Sequence, residues 1–336
     1  MNHFKSKNSV YIIAEIGGNH EGDFEYAKKL TRLAAESGAD AVKFQIYTGD
    51  SLVNPQYDPV RNKHFKKFEL SSNQYIELAL LCKELKITFM ASVWDIDAFS
   101  YMNEHMPIYK VGSGDMTAYN LIEKMVRVGK PIILSTGLAT FLEVQNVVSF
   151  INSLDSSYIK DRKLCILQCT SMYPIPDEDA NLNVMRTYME NFNIPIGYSD
   201  HTVGMDAIET SVAMGAEVIE VHFTDTREGK EFRDHKVSAT KDEIQLLIKK
   251  IKRIKTLQGS FEKKPTSSEI DSKHTVSFRR GIYASKDLES GHIITEKDLI
   301  SLRPFEGLGA DKFYDLIGSK LTHSVKKLES IQNKYQ

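Results

Sequence analysis

Residues 10–30, VYIIAEIGGNHEGDFEYAKKL, decide how the rest of the chain is interpreted. The apolar run over residues 10–16 predicts a strand, yet this run carries a carboxylate, Glu15, at its end. A glycine-rich turn follows, and Asp23 is placed to cap a helix that begins near Phe24. A strand, a polar strand end, a loop and a helix thus form one unit. The same unit returns along the chain.

Hydrophobic periodicity, together with turn and capping residues at the boundaries, predicts eight such units, each with a short apolar strand and an amphipathic helix. The predicted strands cover residues 10–16, 40–46, 87–92, 107–112, 131–136, 163–170, 195–199 and 217–223. Eight alternating units in about 250 residues predict a (β/α)8 TIM barrel. A doubly wound sheet is the alternative, but Gly112-Ser113-Gly114 is only a lone GxG and supports it weakly. The polar stretch after the second strand, with Pro55 and Pro59, is interpreted as a long loop.

The composition changes beyond the barrel. We assign residues 1–258 to the barrel and residues 259–277, which are polar and lack helical periodicity, to an interdomain linker. Residues 278–336 form a small β-rich module with a short helix predicted over 311–317.

Composition excludes several classes of function. The chain has 336 residues, 41% of them hydrophobic, and a formal net charge of −2, which gives no electrostatic case for binding nucleic acid or a membrane surface. No apolar run is long enough to span a membrane, and the first residues lack the apolar core of an export signal. Cys82, Cys165 and Cys169 are interpreted as small core hydrophobes of a reduced, cytoplasmic protein.

Polar side chains stand at the carboxyl end of every predicted strand, which is where TIM barrels place their reacting groups. In chain order these side chains are Glu15, Asn19, His20, Lys43, Gln45, Ser92, Lys110, Ser113, Asp115, Ser135, Thr136, Gln168, Thr170, Ser171, Tyr173, Ser199, Asp200, His201, Glu220 and His222. A purely structural barrel would have little use for them, because buried polar groups destabilise a fold unless they are paired.

Three subsets suggest chemical roles. Lysines and serines that converge on one mouth suit a small ligand with phosphate and carboxylate groups. His201 and His222 could offer two imidazoles to a divalent metal, although a histidine in an apolar run is more often a core residue. The acids Glu15, Glu220 and Asp234 either bind sugar hydroxyls and handle protons, or are paired with the lysines.

The motifs IIAEIGGNHEGD, ADAVKFQ, YKVGSGD, KPIILSTG, LQCTSMYPIP, IGYSDHT and EVIEVHFT, in this order, resemble the sialic acid synthase family. The C-terminal stretches ASKDLESGHIITEKDLISLRP and LIGSKL resemble the antifreeze-like (SAF) domain that ends those enzymes. The resemblance covers residues 10–324. It implies an enzyme that joins phosphoenolpyruvate to an N-acetylated hexose, assisted by a divalent metal, and releases phosphate by C–O cleavage.

The resemblance also implies a role for individual residues. It places phosphoenolpyruvate on Lys43, Ser92, Lys110, Ser113, Ser135, Ser171 and Ser199. It places the metal, Mn²⁺ with Mg²⁺ or Co²⁺ as alternatives, on His201 and His222. It assigns the sugar to Glu15, Gln45, Tyr173 and Asp234. We hypothesise that Glu15 also has a catalytic role, in which it stabilises the developing cation or orients the attacking water. Arg303 of the small domain is expected to reach the N-acetyl group from the partner subunit of a domain-swapped homodimer.

Some positions depart from the family's pattern and leave the acceptor open. Trp94 replaces the proline of a Ser-Thr-Pro motif, Ser171 replaces an asparagine, and Phe232-Arg233 replaces a Gly-Pro pair. The favoured acceptor is N-acetylmannosamine, which gives N-acetylneuraminate. The alternatives are a diamino-dideoxy hexose, which gives legionaminic or pseudaminic acid, a phosphorylated aldose, or a non-catalytic carbohydrate-binding protein.

Overall fold

The computed structural model describes residues 3–332, and this part of the chain divides into two compact units after Gly259. In the first unit, eight parallel strands close into a barrel in sequential order. Their bounds are β1 Tyr11–Gly17, β2 Ala41–Ile46, β3 Thr88–Val93, β4 Tyr109–Val111, β5 Ile132–Ser135, β6 Leu164–Cys169, β7 Ile196–Asp200 and β8 Val218–His222. Every bound lies close to its prediction, so the TIM barrel is confirmed.

Helices follow the strands and cover the outside of the barrel. In the first unit they are α1 Phe24–Ser37, α2 Gly49–Leu52, α3 Pro59–Lys66, α4 Ser72–Leu85, α5 Ile96–Met102, α6 Tyr119–Val128, α7 Phe141–Leu154, α8 Ser157–Lys160, α9 Val184–Asn191, α10 Asp206–Met214 and α11 Lys241–Gln258. The described part of the second unit contains α12 Ser267–Asp271 and α13 His274–Ser277. None of these helices is both long and apolar enough to cross a membrane.

Local capping explains where the main helices begin. Asp23 accepts a hydrogen bond from the backbone N–H of Tyr26 and caps α1, as predicted. Capping boxes begin α4, α7 and α11, each with a hydroxyl at the cap and Gln or Glu three residues later.

Two predicted irregular stretches contain helix. The polar stretch after β2 was predicted as a loop, but it contains α2 and α3. Asp58 caps α3 and Pro59 takes its first position, where a missing N–H costs nothing. The stretch predicted as a linker contains α12 and α13. Thr266 and Glu269 form a capping box at the start of α12, a local signal that an inspection of hydrophobic periodicity alone does not detect.

The second unit is small and has its own core. Strands β9 Gly281–Ala284 and β10 Leu299–Leu302 pair antiparallel. Nine buried apolar side chains form the core, among them Ile282, Leu316 and Ile331. The helix predicted over 311–317 is present as two short 3₁₀ turns, Ala310–Lys312 and Tyr314–Leu316. The β-rich character predicted for this module is confirmed.

The barrel interior has an apolar lower layer and a polar upper layer. Inward positions recur every second residue along a strand, so Ile13 and Glu15 of β1 point into the barrel at different heights. The lower layer is a cluster that includes Ile13, Met90, Ile133 and Cys165. The strand register then brings the next inward positions of neighbouring strands together, and it pairs Glu15 with Lys43, Ser92 with Lys110, and Ser199 with Glu220. The same alternation therefore builds the core and the site.

Gly197 of β7 allows this close packing. A Cβ there would lie 2.2 Å from the carbonyl oxygen of Val218 and 2.5 Å from a methyl carbon of Leu167. We expect Gly197→Ala to lower the free energy of unfolding by about 1–3 kcal/mol, because backbone of the next strand cannot move aside cheaply. Chemical denaturation measures this change. Gly114→Ala is the control, since a Cβ at Gly114 meets nothing within 4 Å, and equal stabilities would contradict the prediction.

Candidate active site

A cavity of about 1090 Å³ opens at the carboxyl ends of the strands. Every barrel residue for which the family resemblance implied a substrate, metal or catalytic role lines this cavity. These residues are Glu15, Lys43, Gln45, Ser92, Lys110, Ser113, Ser135, Ser171, Tyr173, Ser199, His201, His222 and Asp234. They come from all eight strands or the loops that follow them, with Asp234 in the loop after β8. Arg303 belongs to the second unit, where its guanidinium lies 5.6 Å from the centre of the Phe278 ring.

Two buried lysines share one carboxylate at the cavity floor. Lys43 Nζ lies 2.9 Å from Glu15 Oε2 and 3.8 Å from Glu220 Oε2. Lys110 Nζ lies 3.6 Å from Glu220 Oε1 and donates a hydrogen bond of 2.7 Å to Ser135 Oγ. Glu220 also accepts a hydrogen bond from Ser199 Oγ at 3.1 Å. The floor therefore holds two cations and two carboxylates in close contact.

Burial and charge act in opposite directions on these groups. Burial alone would lower the pKa of Lys43, but Glu15 and Glu220 raise it above its ordinary value. Burial lowers the pKa of Lys110, and Glu220 only partly offsets this effect. The pKa of Glu220 is lowered despite its burial, because both lysines favour the carboxylate. Lys110 is thus the less well neutralised cation, and an anionic ligand would stabilise its charge.

Short hydroxyl side chains share the cavity with Lys110, which donates to Ser135 Oγ. The backbone N–H of Gly137 donates a hydrogen bond to Ser113 Oγ at 3.0 Å. A Cβ at Gly137 would lie 2.4 Å from Ser171 Oγ and 2.8 Å from Ser113 Oγ, so only glycine allows both serines to approach this loop. Hydroxyl donors around a buried ammonium group form a suitable site for a phosphate or carboxylate.

Two imidazoles lie on the other side of the floor. The ring centres of His201 and His222 are 5.2 Å apart. His201 Nδ1 lies 2.9 Å from the carbonyl oxygen of Thr170, which can only accept, so Nδ1 carries the proton and Nε2 keeps its lone pair. Burial, with a contribution from His222, lowers the pKa of His201 to about 3 and keeps the ring neutral. His222 Nδ1 is buried and has no hydrogen-bond partner.

The remaining predicted residues contact Glu15 or the two imidazoles. Gln45 Nε2 donates to Glu15 Oε1 at 2.9 Å, so both oxygens of Glu15 have a cationic or amide neighbour. The Tyr173 ring lies 4.0 Å from the centre of the His201 ring. Asp234 Oδ2 is 3.9 Å from His222 Nδ1, and Arg233 Nε donates to Asp234 Oδ1 at 3.2 Å.

Several strand-end polar residues lie outside the cavity, because the backbone satisfies them. Asn19 donates to the carbonyl of Phe223, and Thr136 donates to the carbonyl of Leu167. Gln168 donates to the carbonyl of Ala180, and Asp200 accepts from the N–H of Thr202. His20 Nδ1 accepts from the N–H of Gly22 and tightens the loop after β1. The hydrogen bonds of these five side chains thus give them a structural role at the strand ends.

Two further cavity residues, Asp115 and Cys169, were assigned no chemical role from the sequence. Asp115 lines the floor, and burial, partly opposed by Lys110, raises its pKa to about 6. Cys169 is buried as predicted, but it lines the cavity and its Sγ lies 3.9 Å from His201 Nδ1, so it is not only a core residue. Its position two residues beyond the inward-facing Leu167 is the signal that could have located it.

His20 makes stability depend on pH. Burial lowers its pKa from 6.5 to about 4, so between these values the unfolded chain binds a proton that the folded chain does not. Stability should therefore fall with decreasing pH, by about 1.4 kcal/mol per pH unit for this group. We expect His20→Asn to flatten the slope of the unfolding free energy between pH 4 and 6.5, measured by denaturation at a series of pH values. Above pH 7.5 the two slopes should agree. Equal slopes over the whole range would contradict this prediction.

Comparison with known proteins agrees with the geometry. Residues 30–263 match the NeuB family, and residues 279–334 match the SAF domain. The N,N'-diacetyllegionaminic acid synthase of Campylobacter jejuni is 34% identical over 96% of this chain and 98% of its own. The N-acetylneuraminate-9-phosphate synthase of Homo sapiens is 32% identical over 96% of this chain and 91% of its own.

A solved structure is similar as well. The N-acetylneuraminic acid synthetase of Leptospira borgpetersenii serovar Hardjo-bovis, in complex with citrate, is 30% identical, with a TM-score of 0.73 over 79% of this chain and 90% of that one. These relatives are synthases of nonulosonic acids. The match over most of the barrel and the SAF domain after it confirm the resemblance found in the motifs. The chain belongs to the NeuB family of sialic acid synthases.

Proposed function

We propose that this protein is a phosphoenolpyruvate-dependent nonulosonic acid synthase that condenses phosphoenolpyruvate with an N-acetylated hexose and releases phosphate. One observation carries the proposal: two buried lysines ringed by hydroxyls lie in the same cavity as two neighbouring imidazoles. The first group suits a small dianionic or trianionic substrate. The second suits a metal that activates an aldehyde.

Phosphoenolpyruvate would bind over the lysines. Lys110, with Ser113, Ser135 and the neighbouring serines, would hold the phosphate, and Lys43 with Ser92 would hold the carboxylate. Lys43 Nζ already lies 3.3 Å from Ser92 Oγ, so these two groups are oriented before the ligand binds. Such preorganised donors are effective in a water-poor site, because they need no reorganisation during the reaction.

The residues present fit a divalent metal. His201 is neutral and offers Nε2, while the carbonyl of Thr170 fixes its tautomer. His222 has an unpartnered buried nitrogen and a carboxylate, Asp234, close by. No group of three or more candidate ligands clusters within residues 3–332, so substrate or water would complete the coordination. When bound, a metal here would act as a Lewis acid toward the acceptor's aldehyde.

Glu15 is placed to assist the central steps. In the proposed reaction the C2=C3 π electrons of phosphoenolpyruvate form a bond between C3 and the aldehyde carbon, and the aldehyde oxygen takes a proton and becomes a hydroxyl. Water adds to C2 as positive charge develops there and gives up one proton. The C2–O bond to phosphate then breaks, the new C2 hydroxyl passes its proton to the departing phosphate, and the keto acid remains. Glu15, held by Lys43 and Gln45, would stabilise the developing charge and orient the water.

Glu15→Gln tests this role. The amide keeps the shape and loses the charge, so we expect kcat to fall by about 10²–10³-fold while the KM for phosphoenolpyruvate changes little. Steady-state phosphate release measures both constants. Normal turnover in this variant would remove Glu15 from the mechanism.

An acceptor panel tests the proposed function. The protein is incubated with phosphoenolpyruvate, Mn²⁺ and either N-acetylmannosamine, a diacetamido hexose or arabinose 5-phosphate, and phosphate and product mass are measured. Release that depends on an N-acetylated hexose, with a product that contains all carbons of both substrates, is the expected result. Release with arabinose 5-phosphate alone would indicate the other synthase class. Sugar binding without turnover would indicate a binding protein.

The predicted domain-swapped homodimer makes a separate prediction about Arg303. If Arg303 completes the partner's site, Lys110→Met and Arg303→Ala chains should complement each other, because one site of a mixed dimer keeps both residues. Co-expression of the two variants should restore about a quarter of wild-type activity, the share expected when half of the dimers are mixed and one of their two sites works. Mixing that restores no activity would contradict the exchange.

A further inference from the structure

Two segments of the loop after β8 meet beside His222. Phe223 directly follows this histidine, and the turn Arg233–Val237 brings Asp234 back to it, so that Asp234 Oδ2 lies 3.9 Å from His222 Nδ1. No side chain caps the start of this turn with a hydrogen bond. The position of the Asp234 carboxylate therefore depends on other contacts of the loop.

A side chain of the loop after β1 joins the two segments. Asn19 Nδ2 donates one hydrogen bond of 2.9 Å to the carbonyl oxygen of Phe223 and another of 2.8 Å to Ser238 Oγ. Ser238 Oγ in turn donates to the carbonyl oxygen of Asp234 at 2.7 Å. We call Asn19 and Ser238 the amide relay. A single amide group thus connects the residue after His222 with the residue whose carboxylate lies beside it.

The direction of these hydrogen bonds is fixed. The carbonyls of Phe223 and Asp234 can only accept, so the Asn19 amide and the Ser238 hydroxyl must donate to them. Asn19 is fully buried and Ser238 is 2% exposed, and neither residue lines the cavity. Water therefore does not compete for these bonds, and the relay reaches the site only through the residues that it holds.

The Asn19 amide is buried at a cost. Its Oδ1 has no hydrogen-bond partner within residues 3–332, and an unpaired buried acceptor destabilises a fold. The two bonds from Nδ2 must offset this cost, and both of them lead to segments that adjoin His222 or Asp234.

Asp234 has one oxygen available for His222. Asp234 Oδ1 accepts from Arg233 Nε at 3.2 Å, whereas Oδ2 is the atom near His222 Nδ1, which has no hydrogen-bond partner in the described chain. The charge of this carboxylate favours a proton on Nδ1, and a proton there leaves the lone pair on Nε2. His201 has the same arrangement, with the carbonyl of Thr170 in place of the carboxylate.

We infer that the amide relay positions Asp234 so that its carboxylate keeps His222 in the Nδ1–H form, with Nε2 free to bind a metal. Both imidazoles then offer the same nitrogen to the cavity. Asn19 and Ser238 are positioning residues, because they act through Asp234 and contact neither metal nor substrate. The inference rests on the proposed function for the presence of a metal. It adds residues to which that function gives no role.

The form of His222 is measured in the metal-free protein. Nitrogen-15 NMR of histidine-labelled protein distinguishes a protonated ring nitrogen from an unprotonated one, and the His222→Asn variant identifies the signals of His222. We expect the proton on Nδ1 in the wild-type protein, and a measurable population with the proton on Nε2 in Ser238→Ala. The loop keeps a second link in this variant, because the contact of 2.7 Å between His235 Nδ1 and Thr224 Oγ1 does not involve Ser238.

Metal affinity tests the consequence. Titration with Mn²⁺, followed by the electron paramagnetic resonance signal of the free ion, should give a Kd about tenfold higher for Ser238→Ala and for Asn19→Ala than for wild type. Asp234→Ala should raise the Kd by at least as much. Adding Ser238→Ala to Asp234→Ala should then change the Kd by less than about twofold, because Ser238 acts through Asp234.

Ser37→Ala is the matched control. Ser37 is buried outside the cavity, and its Oγ also donates to a backbone carbonyl, that of Ala34, at 2.6 Å. Both serine variants lose one buried hydroxyl, so chemical denaturation should show similar losses of stability. Ser37→Ala should nevertheless keep the wild-type Mn²⁺ affinity and the Nδ1–H form of His222.

The outcomes distinguish this inference from the proposed function. A proton on Nε2 of His222 in the wild-type protein would overturn the inference, whether or not any variant folds. Unchanged Mn²⁺ affinity in folded Ser238→Ala, or additive effects of Ser238→Ala and Asp234→Ala, would also overturn it. A wild-type protein that shows the Nδ1–H form, loses it in Ser238→Ala and binds no Mn²⁺ would support the positioning role and refute the metal of the proposed function.

Discussion

Replacing Lys110 with methionine is expected to lower kcat/KM for phosphoenolpyruvate by about 10³-fold. Lys110 is buried, its pKa is lowered by burial, and Glu220 Oε1 is 3.6 Å away. The substrate phosphate would provide the negative charge that this ammonium group lacks. Methionine has a similar length but no charge, so the loss should appear mainly in binding and turnover of the anionic substrate. Phosphate release at a series of phosphoenolpyruvate concentrations measures it.

A matched control keeps this result interpretable. Lys250 forms an exposed ion pair with Glu209 at 2.6 Å on the outside of the barrel, and Lys250→Met should leave kcat/KM within about twofold of wild type. Denaturation shows whether Lys110→Met still folds. A folded Lys110→Met protein with normal kcat/KM would contradict the assignment of the phosphate to this lysine.

Replacing His222 with asparagine should lower both metal content and turnover. We expect at least about a 10²-fold loss in Mn²⁺ affinity and in kcat, because one of two imidazole ligands is removed. Metal per chain after dialysis against Mn²⁺ gives the first value, and phosphate release gives the second. His105→Asn, outside the cavity, is the control. Unchanged Mn²⁺ binding by His222→Asn would exclude His222 as a ligand.

The fold and most of the cavity lining could be predicted from the sequence, because the two-residue alternation of side chains along each strand determines both. Inward positions alternate along a parallel strand, so Ile13 and Glu15 are placed in successive layers of the same interior. The carboxyl ends of all eight strands meet at one end of a closed barrel. Listing polar strand ends was therefore enough to bring Lys43, Lys110 and His222 into one cavity.

The same rule could not separate functional from structural polar residues. Asn19 and Asp200 stand at strand ends just as Glu15 does, but Asn19 donates to the loop after β8 and Asp200 accepts from Thr202 of its own loop. The sequence left open whether Glu220 binds sugar or is paired with the lysines, because this depends on the register of β7, β8 and β2. In the structure Glu220 is close to both lysines.

The aromatic side chains of the cavity lining, His64, Phe65, Phe68 and Phe232, could not be predicted, for a similar reason. These residues come from α3, from the residues after it, and from the loop after β8, and only the folded chain brings them together. The stretch that contains α3 is polar and proline-bearing, so its pattern indicated a loop. The Asp58 cap and Pro59 at the first helical position were the local signals that favoured a helix.

A structure of this protein determined with phosphoenolpyruvate bound would test the central claim most directly. We predict that the phosphate lies within about 3 Å of Lys110 Nζ and the hydroxyls of Ser113 and Ser135, with the carboxylate at Lys43. Its C3 carbon would then face the side of the cavity that holds His201 and His222. Phosphoenolpyruvate bound away from both lysines, or no binding at saturating concentration, would contradict the account.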